Sequence, residues 1–238
     1  MVINTIGMEK VTDIDKVPFN KVCHLTVTRR KLFKKSSYDS TGFFISKNII
    51  LTAAHNIHSQ IGSKVILIKI QIGQSGDSQL FPSINMSIDN NNRKQLISTP
   101  DEYNFAKRQG IRILHDYGVI YIPDEFLPSD FTWNEEFTLN PSNIEINYNK
   151  AILCGYPAVK NAGFDGDILY SQEGKIIVNN RNVYGHSFDT YRGNSGGPLF
   201  FKNEGKNIVY GIHTFSSSGT ILNKNVKNKI KKFIQKLS

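Results

Sequence analysis

Ser195 stands at the centre of "FDTYRGNSGGPLF" (188–200), a stretch whose residue types could do nucleophilic chemistry. Gly193, Gly196 and Gly197 supply the backbone freedom of a tight turn and Pro198 breaks any helix, but turn chemistry leaves the serine unexplained. A serine hydroxyl is a poor nucleophile until a base takes its proton and a third group orients that base. Of the six histidines, His55 in "LTAAHN" follows an apolar run and has small residues around it. Asp116 in "HDYGVIYI" opens an apolar run, where a carboxylate can be half buried and aimed at an imidazole. Each is weak alone, since a satisfied structural histidine and a solvated turn acid are the commoner readings. In the chain order His, Asp, Ser, each in such a context, they make one candidate constellation for acyl transfer. His58 and His115 neighbour its members, but the chain lacks the closely spaced His and acidic ligands of a metalloprotease. Both are assigned structural or solvent roles, and neither a metal nor another cofactor is expected.

Short runs rich in β-branched and aromatic residues must position these groups, among them "VCHLTVTRR", "NIILTA", "KVILIKIQIG", "YGVIYIP", "KAILCGYP" and "NIVYGIHTF". Polar or glycine-bearing turns separate them at the intervals of an all-β barrel or sandwich. Helix is expected only at the end, where Val226, Ile230, Phe233, Ile234 and Leu237 recur at helical spacing with lysines between them. The segment 74–112 reads as long surface loops with one short strand, and 123–145, with its prolines and acids, as a linker. The expected layout is an N-terminal segment 1–21, a β-barrel 22–122, the linker, a second barrel 146–222 and a helix 223–238. A chain of 238 residues, 39% of them hydrophobic, can bury one large core or two modest ones. The net charge of +9 permits polyanion binding, but the lysines are spread along the chain except at its end. Neither nucleic acid nor membrane is expected as a partner, and a monomer is. Cys23 and Cys154 lie in apolar, strand-like runs, where a buried free thiol is favoured over a bond that would close a long loop worth about 5 kcal/mol.

The three contexts together resemble the chymotrypsin-like serine proteases, from about Val22 onward. The resemblance implies two six-stranded antiparallel β-barrels with the active site between them and a C-terminal α-helix behind. It further implies that His55 is general base, Asp116 its orienting carboxylate, Ser195 the nucleophile, and the N–H groups of Gly193 and Ser195 an oxyanion hole. Substrates would be proteins or peptides. The alternative on the same fold is a catalytically silent binding protein, which the presence of all these residues disfavours.

The specificity pocket of that fold is lined by residues before the serine and by a later strand. Asp189 at its floor would select Arg or Lys. Against this, His213 can donate to an anion and Thr190 adds a hydroxyl, a pair suited to a substrate carboxylate. "DTYRGNSG", "GIHT", "LFPSIN", "CGYP" and the opening "VINTIGMEKVTD" more closely resemble the bacterial glutamyl endopeptidases, implying cleavage after Glu. Arg192 departs from that branch, which usually has glycine there; it would either help hold an acid or obstruct the cleft. Asn194 lacks the charge with which trypsin-like zymogens capture a new N-terminus. In the glutamyl branch a free valine amine lies near the pocket, so Val2 is the candidate for supplying positive charge, in a chain trimmed of Met1. Met1–Asn20 has no signal-peptide pattern, and the mature form is expected to be secreted or extracytoplasmic.

Overall fold

The computed structural model of the chain describes residues 7–59, 62–106, 109–131, 137–139 and 147–236. Two antiparallel sheets account for most of them. The first runs, from edge to edge, Ile84–Ser87, Ser63–Ile72, Val22–Lys31, Lys34–Ser46, Ile49–Thr52, Gly118–Tyr121 and Ile97–Ser98. In Val22–Lys31 the inward residues Leu25 and Val27 are buried and alternate with half-buried Thr26 and Thr28, the period of a strand with one face on a core. This strand pairs with Lys34–Ser46 through a two-residue turn, Leu32–Phe33, and with Ser63–Ile72 on its other side.

The second sheet runs Glu9–Lys10, Tyr170–Gly174, Ala151–Gly155, Pro198–Asn203, Lys206–Phe215, Ser218–Ile221, Val183–His186 and Ile176–Val178. Thr138–Leu139 joins it by a parallel pairing with Lys206–Phe215. The two-barrel, mostly β expectation is met. The sheets, of seven and nine strands among the described residues, exceed six each through short pieces: Ile97–Ser98 in the first, and Glu9–Lys10, Thr138–Leu139 and the three-residue edge strand Ile176–Val178 in the second. Two such pieces come from segments read as outside the barrels: Glu9–Lys10 from the N-terminal segment and Thr138–Leu139 from the linker.

One core cluster spans both sheets: Phe43, Leu51 and Val119 from the first meet Tyr156, Phe200 and Ile212 from the second. The helix Lys224–Ile234 closes it by adding Val226 and Ile230. Asn223 caps this helix, its side chain accepting from the N–H groups of Asn225 and Val226. Separate clusters fill each barrel, around Leu25, Phe44 and Ile68 in the first and around Leu153, Tyr184 and Leu199 in the second. Cys23 and Cys154 are both free and fully buried, and burial pushes both thiols far up from their ordinary range.

Candidate active site

A cleft of about 980 Å³ is lined by residues of both barrels, including His55, Asp116, Thr190, Arg192, Ser195 and His213. His55 lies in the short helical turn Ala54–Ile57 that follows the strand Ile49–Thr52. Asp116 precedes the neighbouring strand Gly118–Tyr121, so sheet pairing brings the two together. Asp116 is buried, and both of its oxygens are used by one residue: Oδ1 accepts from the His55 backbone N–H at 2.9 Å and Oδ2 from Nδ1 at 2.8 Å. A carboxylate only accepts, so Nδ1 carries the ring proton and Nε2 keeps its lone pair. Arg29, from the long hairpin strand, donates to the carbonyls of His55, Asn56 and His58 at 2.6 to 3.0 Å and ties down the end of that turn. From the second barrel, the Thr220 hydroxyl donates to the Ile113 and Asp116 carbonyls and latches the segment that carries the carboxylate.

Ser195 is half buried, and its hydroxyl donates to the Thr214 carbonyl at 3.4 Å. The backbone around it is fixed from the first barrel. Thr41 Oγ1 donates to the Gly193 carbonyl at 2.7 Å, and both Thr41 N–H and Asn56 Nδ2 donate to the Ser195 carbonyl at 2.9 Å. Thr52 Oγ1 donates to the Thr41 carbonyl and accepts from Asn56, which completes the network. The Arg192 carbonyl accepts from Ala158 N–H at 2.6 Å, so in a trans peptide the Gly193 N–H points the opposite way. Among the described residues no acceptor meets the N–H of Gly193 or Ser195, the state an oxyanion hole requires. Gly193 has φ +97°, and a Cβ there would stand 2.1 Å from the Tyr156 carbonyl oxygen, which excludes side chains. Sequence reasoning missed Thr41, Thr52, Asn56 and Arg29, although Thr52 and Asn56 both lay within the motif "LTAAHN" around His55.

On the pocket side, His213 is buried and its Nδ1 lies 3.1 Å from His186 Nε2. The Phe188 N–H donates to His186 Nδ1, so His186 carries its proton on Nε2 and donates to His213 Nδ1. His213 then carries its proton on Nε2, as a donor. His186 had no role in the sequence reading. Thr190 uses its hydroxyl to donate to the Ser216 carbonyl. Asp189 is exposed and outside the cleft lining, its N–H donating to Gln172 Oε1, while Arg192 is exposed at the rim. Asn194 is buried, and its side-chain oxygen has no partner among the described residues. Val2 lies outside the described residues. His58 packs edge-on against Tyr103.

Burial pushes the His186 imidazolium down to about 4, and burial, then the nearby His186 and His55, push His213 well below its ordinary value. Both histidines are therefore neutral in the folded protein at pH 7. At His186 the unfolded chain binds a proton as pH falls below about 6.5, while the folded chain does not until about pH 4. The His186 contribution, about 3 kcal/mol, is complete above about pH 7 and lost between these values, and His213 adds a loss of the same sign. Denaturant titrations at pH 7 and 4.5 are expected to show this loss, and His186→Gln should flatten it. An unchanged slope in that variant would mean the loss lies elsewhere, for example at His58 and His115, which burial also lowers.

The likeness to known proteins agrees with this geometry. Three solved structures share the fold: a Glu endopeptidase in complex with MPD (19% identity, TM-score 0.72, 98% of each chain covered), the protease Anisep from Arthrobacter nicotinovorans (14%, 0.63, 90% of this chain and 95% of that one), and the thermostable serine protease AL20 from an extremophilic microorganism (14%, 0.62, 85% and 90%). Comparison with curated proteins finds no match. The trypsin-like peptidase domain matches residues 40–212, most of both barrels and every candidate cleft residue but His213, and the chain belongs to that family.

Proposed function

We propose that the protein is a serine endopeptidase that cleaves after glutamate. The observation that carries the catalytic part is the doubly bonded His55–Asp116 pair in one cleft with Ser195. Ser195 Oγ turns from the Thr214 carbonyl to His55, since catalytic hydrogen bonds commonly tighten as substrate binds. Oγ attacks the peptide carbonyl carbon while His55 Nε2 takes its proton, and Asp116 holds the resulting imidazolium. The oxyanion is met by the N–H groups of Gly193 and Ser195. His55 returns the proton to the departing amine, leaving an acyl-enzyme that water hydrolyses by the same route.

Glutamate is favoured because the proton order Phe188, His186, His213 leaves His213 Nε2–H as a buried neutral donor beside the cleft. The likeness to the Glu endopeptidase agrees with it. Cleavage after Arg or Lys has less support, since the Asp189 carboxylate is exposed. Thr190 must release the Ser216 carbonyl before it can help, so its share is the smaller. Digesting a defined peptide mixture and mapping the cut bonds by mass spectrometry tests the reading, and cuts after bonds other than Glu would end the specificity proposal.

His213→Val is expected to lower kcat/KM on a Glu peptide at least about tenfold, roughly 1.4 kcal/mol, because the carboxylate loses its donor in a desolvated site. The Gln peptide should lose less, and Thr190→Val should sit between wild type and His213→Val. Equal losses on both peptides would assign His213 to packing alone. The same pair of peptides, after acetylation of a Val2 amine, reads whether that charge assists.

A further inference from the structure

The turn Leu32–Phe33 sits at the end of the longest hairpin, and its composition is costly for a part that only has to fold. Leu32 is 80% exposed and Phe33 is fully exposed. Leu32 also adopts φ +51°, a left-handed conformation in which glycine would be cheaper. Around the two apolar side chains the strand register sets like charges opposite one another: Lys31 faces Lys34, and Arg30 faces Lys35 on one side and Lys64 on the other. Such pairs repel across a sheet. All five cations are exposed, and among the described residues none has an ion-pair partner. Asp89, the carboxylate in the adjoining hollow, is turned to the N–H groups of Asn91 and Asn92.

We propose that this tip is a docking wedge for an anionic phospholipid bilayer. Leu32 and Phe33 enter the region between headgroups and acyl chains, and Arg30, Lys31, Lys34, Lys35 and Lys64 meet the negative surface. Both oddities of the hairpin then have one cause, since an anionic surface relieves the cation repulsion and covers the exposed apolar pair. Among the described residues no helix is long and apolar enough to span a membrane, and the contact proposed is one made by the hairpin tip. The expectation from sequence set membranes aside because lysines are spread along the chain; it missed that pairing three strands gathers these five at one end. Arg29, the next residue down the strand, holds the His55 turn. The wedge and one wall of the cleft therefore share a strand, with roughly 7 Å of it between Arg29 and Lys31, where the turn begins.

The test is co-sedimentation of the full chain with vesicles of phosphatidylcholine alone and of phosphatidylcholine mixed with phosphatidylglycerol. Binding is expected to the mixed vesicles only. Replacing both Lys31→Gln and Lys34→Gln should weaken it about thirtyfold, and Phe33→Ser about tenfold. These side chains are exposed, so melting temperature should hold. In Phe33→Trp binding should persist, and the emission should shift to the blue on adding mixed vesicles and not on adding phosphatidylcholine. The proposal is overturned by background binding to mixed vesicles, as expected if the tip seats on a protein instead. Binding insensitive to either replacement, or no blue shift in Phe33→Trp, overturns it equally.

Discussion

Ser195→Ala is expected to lower kcat/KM on a cleaved peptide by about 10⁴-fold to 10⁶-fold, with melting temperature little changed. Asp116→Asn is expected to cost nearly as much, about 10⁴-fold, for a reason visible in the hydrogen bonds. Both Asp116 oxygens accept from His55, one from the backbone and one from Nδ1. An amide can replace only one acceptor. If its NH₂ faces Nδ1, the ring must carry its proton on Nε2, where a base needs a lone pair. A fluorophosphonate reagent reads both steps: labelling at Ser195 should be lost in Ser195→Ala and slowed in step with activity in Asp116→Asn. Peptide cleavage at wild-type rate by folded Ser195→Ala would remove the serine assignment and leave the silent-binder reading standing.

Gly193→Ala is expected to lower kcat by about 10²-fold to 10³-fold, the loss associated with one oxyanion donor. The new methyl meets the Tyr156 carbonyl oxygen at 2.1 Å with φ at +97°, so the loop must turn and carry its N–H away. Gly196→Ala should behave differently, because its methyl would fall 2.0 Å from the Thr41 carbonyl oxygen and 2.2 Å from Thr52 Oγ1. That variant should lose stability together with activity, by strain and by opening a buried polar network. Comparing kcat with the unfolding midpoint separates the two. A fully active Gly193→Ala would show that this N–H meets no developing charge.

Much of this arrangement is legible in the sequence because its signals are local. Strands show as β-branched runs, the terminal helix as its apolar spacing, and the candidate catalytic residues as short motifs each beside a strand or turn. The segment 74–112 was harder. It holds two short strands, Ile84–Ser87 and Ile97–Ser98, and helical turns of four or five residues, pieces too short to display a period. The supporting shell was illegible for another reason. Thr41 reaches Gly193 across 152 positions and Asn56 reaches Ser195 across 139, so nothing near either residue announces its partner. Asp189 stayed an open alternative in the sequence, six residues before the serine, since position in a loop does not say which side faces the cleft. His186 meets His213 across two strands, and such a contact depends on register that composition does not encode.

The polar network from Thr41, Thr52 and Asn56 also bears on the order in which the protein becomes dangerous to its surroundings. Across the seam the carbonyls of Gly193 and Ser195 in the second barrel accept from Thr41 and Asn56 of the first, and Thr41 Oγ1 accepts in turn from the Tyr156 N–H. On a ribosome the first half of the chain emerges first, carrying His55 and Asp116, the proposed base and its carboxylate, without Ser195. When the serine loop emerges, its own barrel ties it through Ala158 and His213, and seating on the first barrel adds the contacts of Thr41 and Asn56. Hydrolytic capacity is thus expected to arrive last and in one step, at the seating of one half on the other. A nascent or half-unfolded molecule would then be harmless to itself and to its neighbours.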